Sequence, residues 1–204
     1  MIGTERAQLE RVCERRIPTS RRVQGRSAVR PAIRHHERID HVPAIVTREA
    51  TREDFDRYFD EVFDALGPET RHLRFFTAVR ELPPEVRERL SNVDGYQHAA
   101  VVAFDAAACL PDHPEGRPIG VVRWIGAEQG PPELSISVID EYQGMGVGVR
   151  LMDALLALAR RRGVRRLMAD VLRENTGMRH LVNRYNHVVQ PSGDPVVVRY
   201  RIDV

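Results

Sequence analysis

The stretch YQGMGVGVRL, Tyr142 to Leu151, sets glycine at every second position, Gly144, Gly146 and Gly148, immediately ahead of an arginine and a run of leucines. Upstream, ELSISVID has the alternation of a strand and ends near Asp140. Downstream, VGVRLMDALLALARRRGV places Leu151, Leu155, Leu158 and Ala159 on one apolar stripe, with arginines in the last turn and Gly163 as the stop. The glycines therefore form a turn between a strand and a long helix starting at about Gly146. The first amides of a helix have no internal partner and its dipole favours an anion, so a bare backbone at this point lets a pyrophosphate approach the N–H groups. A glycine-rich turn that holds nothing is the alternative, against the roughly 0.5–1 kcal/mol that each glycine costs relative to alanine in regular structure. A dinucleotide fingerprint fails because Val149 stands where its last glycine belongs, and a phosphate-binding loop of the Gly-Lys-Ser/Thr kind fails because the chain has no lysine.

Outward from this turn the chain alternates between the two periods. RRLMADVL is a strand, NTGMRHLVNRYN a helix, and HVVQPSGDPVVVRYRI a closing hairpin turning at PSGD. On the other side VPAIVTREA reads as a strand and TREDFDRYFDEVFDALG as a helix. Thr51 is its N-cap, Phe55, Tyr58, Phe59, Val62, Phe63 and Leu66 lie at helical spacing, and Gly67-Pro68 stops it. PPEVRERLSN is a second helix opened by prolines. HAAVVAFDA, RPIGVVRWIGA and ELSISVID form an antiparallel meander. The predicted order is strand, two helices, three strands, helix, strand, helix, two strands: a mixed α/β fold of six to seven strands flanked by about four helices.

A chain of 204 residues with 42% hydrophobic content supports one core. We assign it to residues 42–204, with 1–41 as a basic, flexible arm carrying ten arginines against five acids and a short helix over Glu5 to Arg16. All 31 basic residues are arginine, and net charge is only +2. Cys13 and Cys109 match no disulfide or metal spacing, which fits a reducing compartment, and no histidine pair proposes a metal. No run approaches the roughly 20 apolar residues of a membrane helix. The expected location is the cytoplasm.

The run VIDEYQGMGVGVRLMDALLALARRRGVRRLMADVLRENTGMRHLVNRYNH resembles the acetyl-CoA-binding core of the GNAT superfamily of N-acetyltransferases, whose signature Q/R-x-x-G-x-G/A is filled by Gln143, Gly146 and Gly148. Across residues 42–204 the blocks RHLRFF, VDGYQHAAVVAFD, PIGVVRW, ELSISVIDEYQGMGVG and ADVLRENTGM are similar, in order, to bacterial Pat-type protein lysine acetyltransferases. The resemblance implies a GNAT fold with acetyl-CoA as co-substrate. The backbone of Ile136, Ser137 and Val138 would hold the pantetheine arm. The amides of Gly144, Met145, Gly146, Val147, Gly148 and Val149 would hold the pyrophosphate, and Asn175 would touch the cofactor. It also implies that the strand carrying Ile136 splays from the strand Ala169 to Leu172 to admit the cofactor.

Acetyl transfer to an amine needs a base, because a lysine-type ammonium has a pKa of about 10.4. Glu133, ten residues before Gln143, stands at the spacing of the Pat-type catalytic glutamate; Asp170, five residues before Asn175, stands where other GNAT enzymes place theirs, and a partner to an arginine is its other reading. The tyrosine that protonates the thiolate in many relatives is replaced by Val182, with Tyr185 one turn later as the substitute. The expected activity is direct transfer to a primary amine, either protein lysine or a small amine such as a polyamine, amino acid or aminoglycoside. A non-catalytic acyl-CoA-binding regulator is the alternative. Nucleic acid is the partner the composition favours least, since the arm has no aromatics to stack on bases, and a homodimer is left open.

Overall fold

The computed structural model describes residues 41–109 and 113–204, so the expected arm lies outside them apart from His41. Strand β1 (Ile45–Glu49) leads into helix α1 (Arg52–Asp64), followed by α2 (Pro68–Phe75) and α3 (Pro84–Ser91). The meander is β2 (His98–Asp105), β3 (Arg117–Ile125) and β4 (Glu133–Val138). A single 3₁₀ turn, Asp140–Tyr142, precedes α4 (Val147–Arg161); β5 (Arg166–Leu172), α5 (Thr176–Val182), β6 (His187–Gln190) and β7 (Val197–Asp203) complete the chain.

The helix start at Thr51 has a physical cause. Its hydroxyl accepts from the Asp54 amide while the Asp54 carboxylate accepts from the Thr51 amide, a reciprocal capping box. Thr51→Ala should lower stability by about 1 kcal/mol, seen as a melting temperature about 2–4 °C lower in a thermal scan.

The mixed α/β fold expected, with six to seven strands and about four flanking helices, is observed with seven strands and, among the described residues, five helices. The added helix arises because Gly67-Pro68 does not merely end α1: Gly67 is the N-cap and Pro68 the first residue of α2, where a missing N–H costs nothing. The helix expected over NTGMRHLVNRYN is shorter, stopping at Val182.

The seven strands form one sheet in the order β1-β2-β3-β4-β5-β7-β6. Every neighbouring pair is antiparallel except β4 and β5, which run parallel and are in register at one position, Glu133 opposite Met168. Beyond it the two strands diverge. The face under α4 is the main core, where Leu151, Leu155 and Leu158 pack with Trp124 and Leu134 on one side of the split and with Leu167, Ala169 and Val171 on the other. The opposite face is covered by α1 to α3, with Phe55 and Tyr58 over Ala100, Val102 and Phe104, and with Phe63, Phe75 and Leu90 in a neighbouring cluster.

Candidate active site

The divergence of β4 from β5 opens a cleft of about 850 Å³. Its walls are β4 from Glu133 to Val138, the glycine turn, the first turns of α4, the Asp170–Val171 end of β5, and α5 with Asn175 before it. Strand alternation divides β4: Leu134, Ile136 and Val138 pack toward the α4 core, which leaves Glu133, Ser135 and Ser137 on the face turned to α2.

The glycine turn is built open. Gly144 and Gly146 hold φ of 76° and 85°, the left-handed region that glycine tolerates best, and Gly146 is the N-cap of α4. A Cβ at either position would meet no atom within 4 Å, so the protein itself leaves the space beside this backbone empty. Gly148 has no such strain, and a Cβ there would touch Leu181 at 3.4 Å. The first turn of α4 contains no acid, and Arg150 within it is exposed, an arrangement that suits an anion.

The turn is fixed from behind. Gln143 Nε2 donates to the Val138 carbonyl at 3.1 Å, to Thr70 Oγ1 at 3.0 Å and to Asp140 Oδ1 at 3.3 Å, so the signature glutamine binds the loop to both β4 and α2. Tyr142 is buried and donates at 2.9 Å to Asp105 at the end of β2. Burial alone would raise the Asp105 carboxyl; hydrogen bonds from His41, Tyr142 and the amides of Ala107 and Ala44 outweigh it and hold the group below the usual carboxylate range. Burial and that same carboxylate push the Tyr142 phenol up to about 12, so it stays a donor at neutral pH.

The sequence-derived candidates fall into three groups. Glu133, Asp170, Ile136, Ser137, Val138, Gln143, Gly144, Gly146, Gly148, Val149 and Asn175 all line the cleft. Met145 and Val147 are not among its lining residues: Met145 is 39% exposed, and the Val147 side chain is in the core. Asn175 caps α5, its Oδ1 accepting from the Met178 amide at 2.9 Å. Tyr185 is not itself a lining residue, but its hydroxyl donates to Asp153 Oδ1 at 3.0 Å and toward the Val149 carbonyl at 3.3 Å, both on residues that line the cleft. Burial and the Asp153 carboxylate push its phenol far above the ordinary tyrosine value. Asp170 is engaged by Arg199 of β7 through two hydrogen bonds, Nε to Oδ1 at 2.7 Å and Nη2 to Oδ2 at 2.6 Å.

Sequence reasoning takes GPETRHLRFF for a loop on the acceptor side and misses that it is the helix α2, one wall of the cleft. Thr70, Leu73, Arg74, Phe75 and Phe76 line the cleft, and Arg74 donates to Ser135 Oγ at 2.7 Å. Phe76 ends the helix at a φ of 64°, a left-handed conformation unfavourable for a side chain of this size. His72 meets Glu174 at 3.0 Å, joining α2 to the turn beyond β5. The available signal was Pro68 followed by Glu69, a helix start in its own right. Among the described residues no group of three His, Cys, Asp or Glu side chains is placed to hold a metal, and no helix is long and apolar enough to cross a membrane.

A sheet split beside a glycine turn at a helix N-terminus is the architecture of the acetyltransferase (GNAT) family, and the chain belongs to it: that family's model matches residues 49–186. Among its relatives, the acetyltransferase PA5475 of Pseudomonas aeruginosa is 30% identical over 78% of this chain and 82% of its own length. The acetyltransferase Pat of Mycolicibacterium smegmatis is 33% identical over 64% of this chain, a match spanning 38% of Pat. The crystal structure of the GNAT domain of S. lividans PAT superposes with a TM-score of 0.66 at 25% identity, covering 82% of this chain and all of that one. The protein is thus an acyltransferase of the GNAT family, similar over its described domain to the GNAT domains of Pat acetyltransferases.

Proposed function

We propose that this enzyme transfers acetyl from acetyl-CoA directly to a primary amine, with Glu133 as the general base. The observation that carries the reading is the course of β4: one strand, released from its neighbour after a single register position, runs along the cleft from Glu133 to the open glycine turn. The amides of residues 144–149 would receive the pyrophosphate, and the β4 edge at Ile136, Ser137 and Val138 would receive the pantetheine amides, with Asn175 opposite. This seats the thioester near the Glu133 end. An arriving ammonium gives its proton to the Glu133 carboxylate, directly or through a water. The free amine then attacks the thioester carbonyl, and as the carbon–sulfur bond breaks the nitrogen gives up its second proton to water, leaving the amide and the thiolate. The Tyr185 hydroxyl is committed to Asp153, so the thiolate, with a solution pKa of about 8.5, departs without an acid from that residue.

Similarity to Pat-type domains supports protein lysine as the acceptor. The test is a panel of a lysine-bearing peptide, spermidine, a free amino acid and an aminoglycoside, each with acetyl-CoA and a thiol readout. The expected result is amine-dependent thiol release with the fastest turnover on the lysine peptide. Equal release with and without every amine would overturn the reading. The chain supplies its own control: it contains no lysine, so any acetyl-lysine detected belongs to the acceptor.

A further inference from the structure

Three carboxylates line the cleft, Glu133, Asp153 and Asp170; Asp153 on α4 accepts from Tyr185, while Glu133 and Asp170 lie at the end where β4 meets β5. Asp170 and Arg199 face each other across the β5–β7 ladder, and the planar guanidinium grips both carboxylate oxygens. The Asp170 side chain is only 9% exposed, so the lone pairs a base would use are directed at a cation instead. Glu133 lies opposite Met168, two residues from Asp170 and on the same face of the sheet by alternation. Arg199 is held charged first by its hydrogen bonds to Asp170, against the cost of burial, and then by attraction to Asp170 and to Glu133. The guanidinium thus acts on both acids and is hydrogen-bonded to Asp170.

Resting on the reading of Glu133 as the base, we propose that Arg199 is a positioning residue that occupies Asp170 and keeps Glu133 ionised, so that the two acids cannot exchange roles. The other charged groups about this part of the cleft are Arg74 of α2, bound to Ser135; Arg123 of β3, whose guanidinium lies over Phe55; Arg201 of β7, ion-paired with Asp203; and the His72–Glu174 pair. Arg199 is bonded through two hydrogen bonds to an acid that lines the cleft. Removing Arg199 takes a cation from the field at Glu133 and frees Asp170 as a second anion, so proton release from Glu133 becomes harder. Removing the Asp170 charge does the opposite, since the full cation then acts on Glu133 alone.

The experiment is the pH profile of kcat/KM for the parent enzyme, Arg199→Gln, Asp170→Asn and Glu133→Gln, using the fastest amine of the panel and checking each variant by circular dichroism. The acid limb should move up by about 1 pH unit in Arg199→Gln and down in Asp170→Asn, with the KM for acetyl-CoA unchanged in both. A merely structural ion pair would lower activity in both variants without moving the limbs in opposite directions, and that result overturns the proposal. Should Arg199→Gln fail to fold, the isosteric Asp170→Asn carries the test through its downward shift. If Glu133→Gln keeps the parent kcat, the base assignment fails and this role with it; unmoved limbs beside an inactive Glu133→Gln refute the Arg199 role alone.

Discussion

Glu133→Gln should lower kcat by ~10²–10⁴ while leaving the affinity for acetyl-CoA nearly unchanged. The substitution keeps the size and hydrogen-bonding reach of the side chain and removes only its capacity to accept a proton. Glu133 sits at the first residue of β4, where the sheet is still closed against Met168, so its backbone is held on both sides by strand pairing with Ile125 and Met168. A change there should not disturb the glycine turn at the far end of the cleft. Steady-state kinetics combined with calorimetric titration of acetyl-CoA separates the two effects. A variant that loses cofactor affinity in proportion to kcat would show that Glu133 shapes the cleft rather than the chemistry. Asp170→Asn should cost less than Glu133→Gln, because Asp170 already spends its oxygens on Arg199.

Gly146→Val should raise the Kd for acetyl-CoA at least about tenfold, equivalent to 1.4 kcal/mol. Two causes contribute. Its φ of 85° is disfavoured for a β-branched residue, and the new side chain would occupy the space that the bare backbone leaves beside the α4 amides. Gly148→Ala separates them. Its backbone carries no left-handed strain and its methyl would meet Leu181 at ordinary contact distance, so a loss of affinity there reports access alone. Both variants should remain folded, since neither added Cβ meets an atom closer than 3.4 Å. Calorimetry giving unchanged Kd in both would remove the glycine turn from the cofactor site.

The fold was legible wherever a local pattern had a single explanation. Short apolar runs bounded by turn residues identified β2 to β5, the leucine stripe identified α4, and Thr51 with Asp54 marked the start of α1. The helix α2 was not legible because its eight residues bury only Phe75, too little for a period to show, and because Gly67-Pro68 serves as an ending and a beginning at once. The same difference runs through the site. Gly144, Gly146 and Gly148 announce an open backbone by composition alone. That Asp170 is gripped by Arg199 depends on the register between strands whose paired residues lie 29 apart in sequence, and no local spacing encodes a register. Tyr185 is a parallel case: its position three residues beyond Val182 is visible in the sequence, whereas the direction of its hydroxyl is set by Asp153 on α4.

The split between β4 and β5 determines what kind of force sets the width of the cleft. Past Glu133 the two halves of the sheet are joined by the apolar seam beneath them, where Leu134, Ala169 and Val171 meet the leucines of α4, rather than by a ladder of directional bonds. A ladder fixes strand spacing at one value, whereas an apolar seam has no preferred direction and adjusts as its side chains repack. Its strength also fades on cooling, as burial of hydrocarbon does. The width of the gap proposed for the donor is therefore governed by the volume of a few buried side chains and by temperature, and a methyl group added or removed at Ala169 or Val171 would act on a cofactor bound there without touching it.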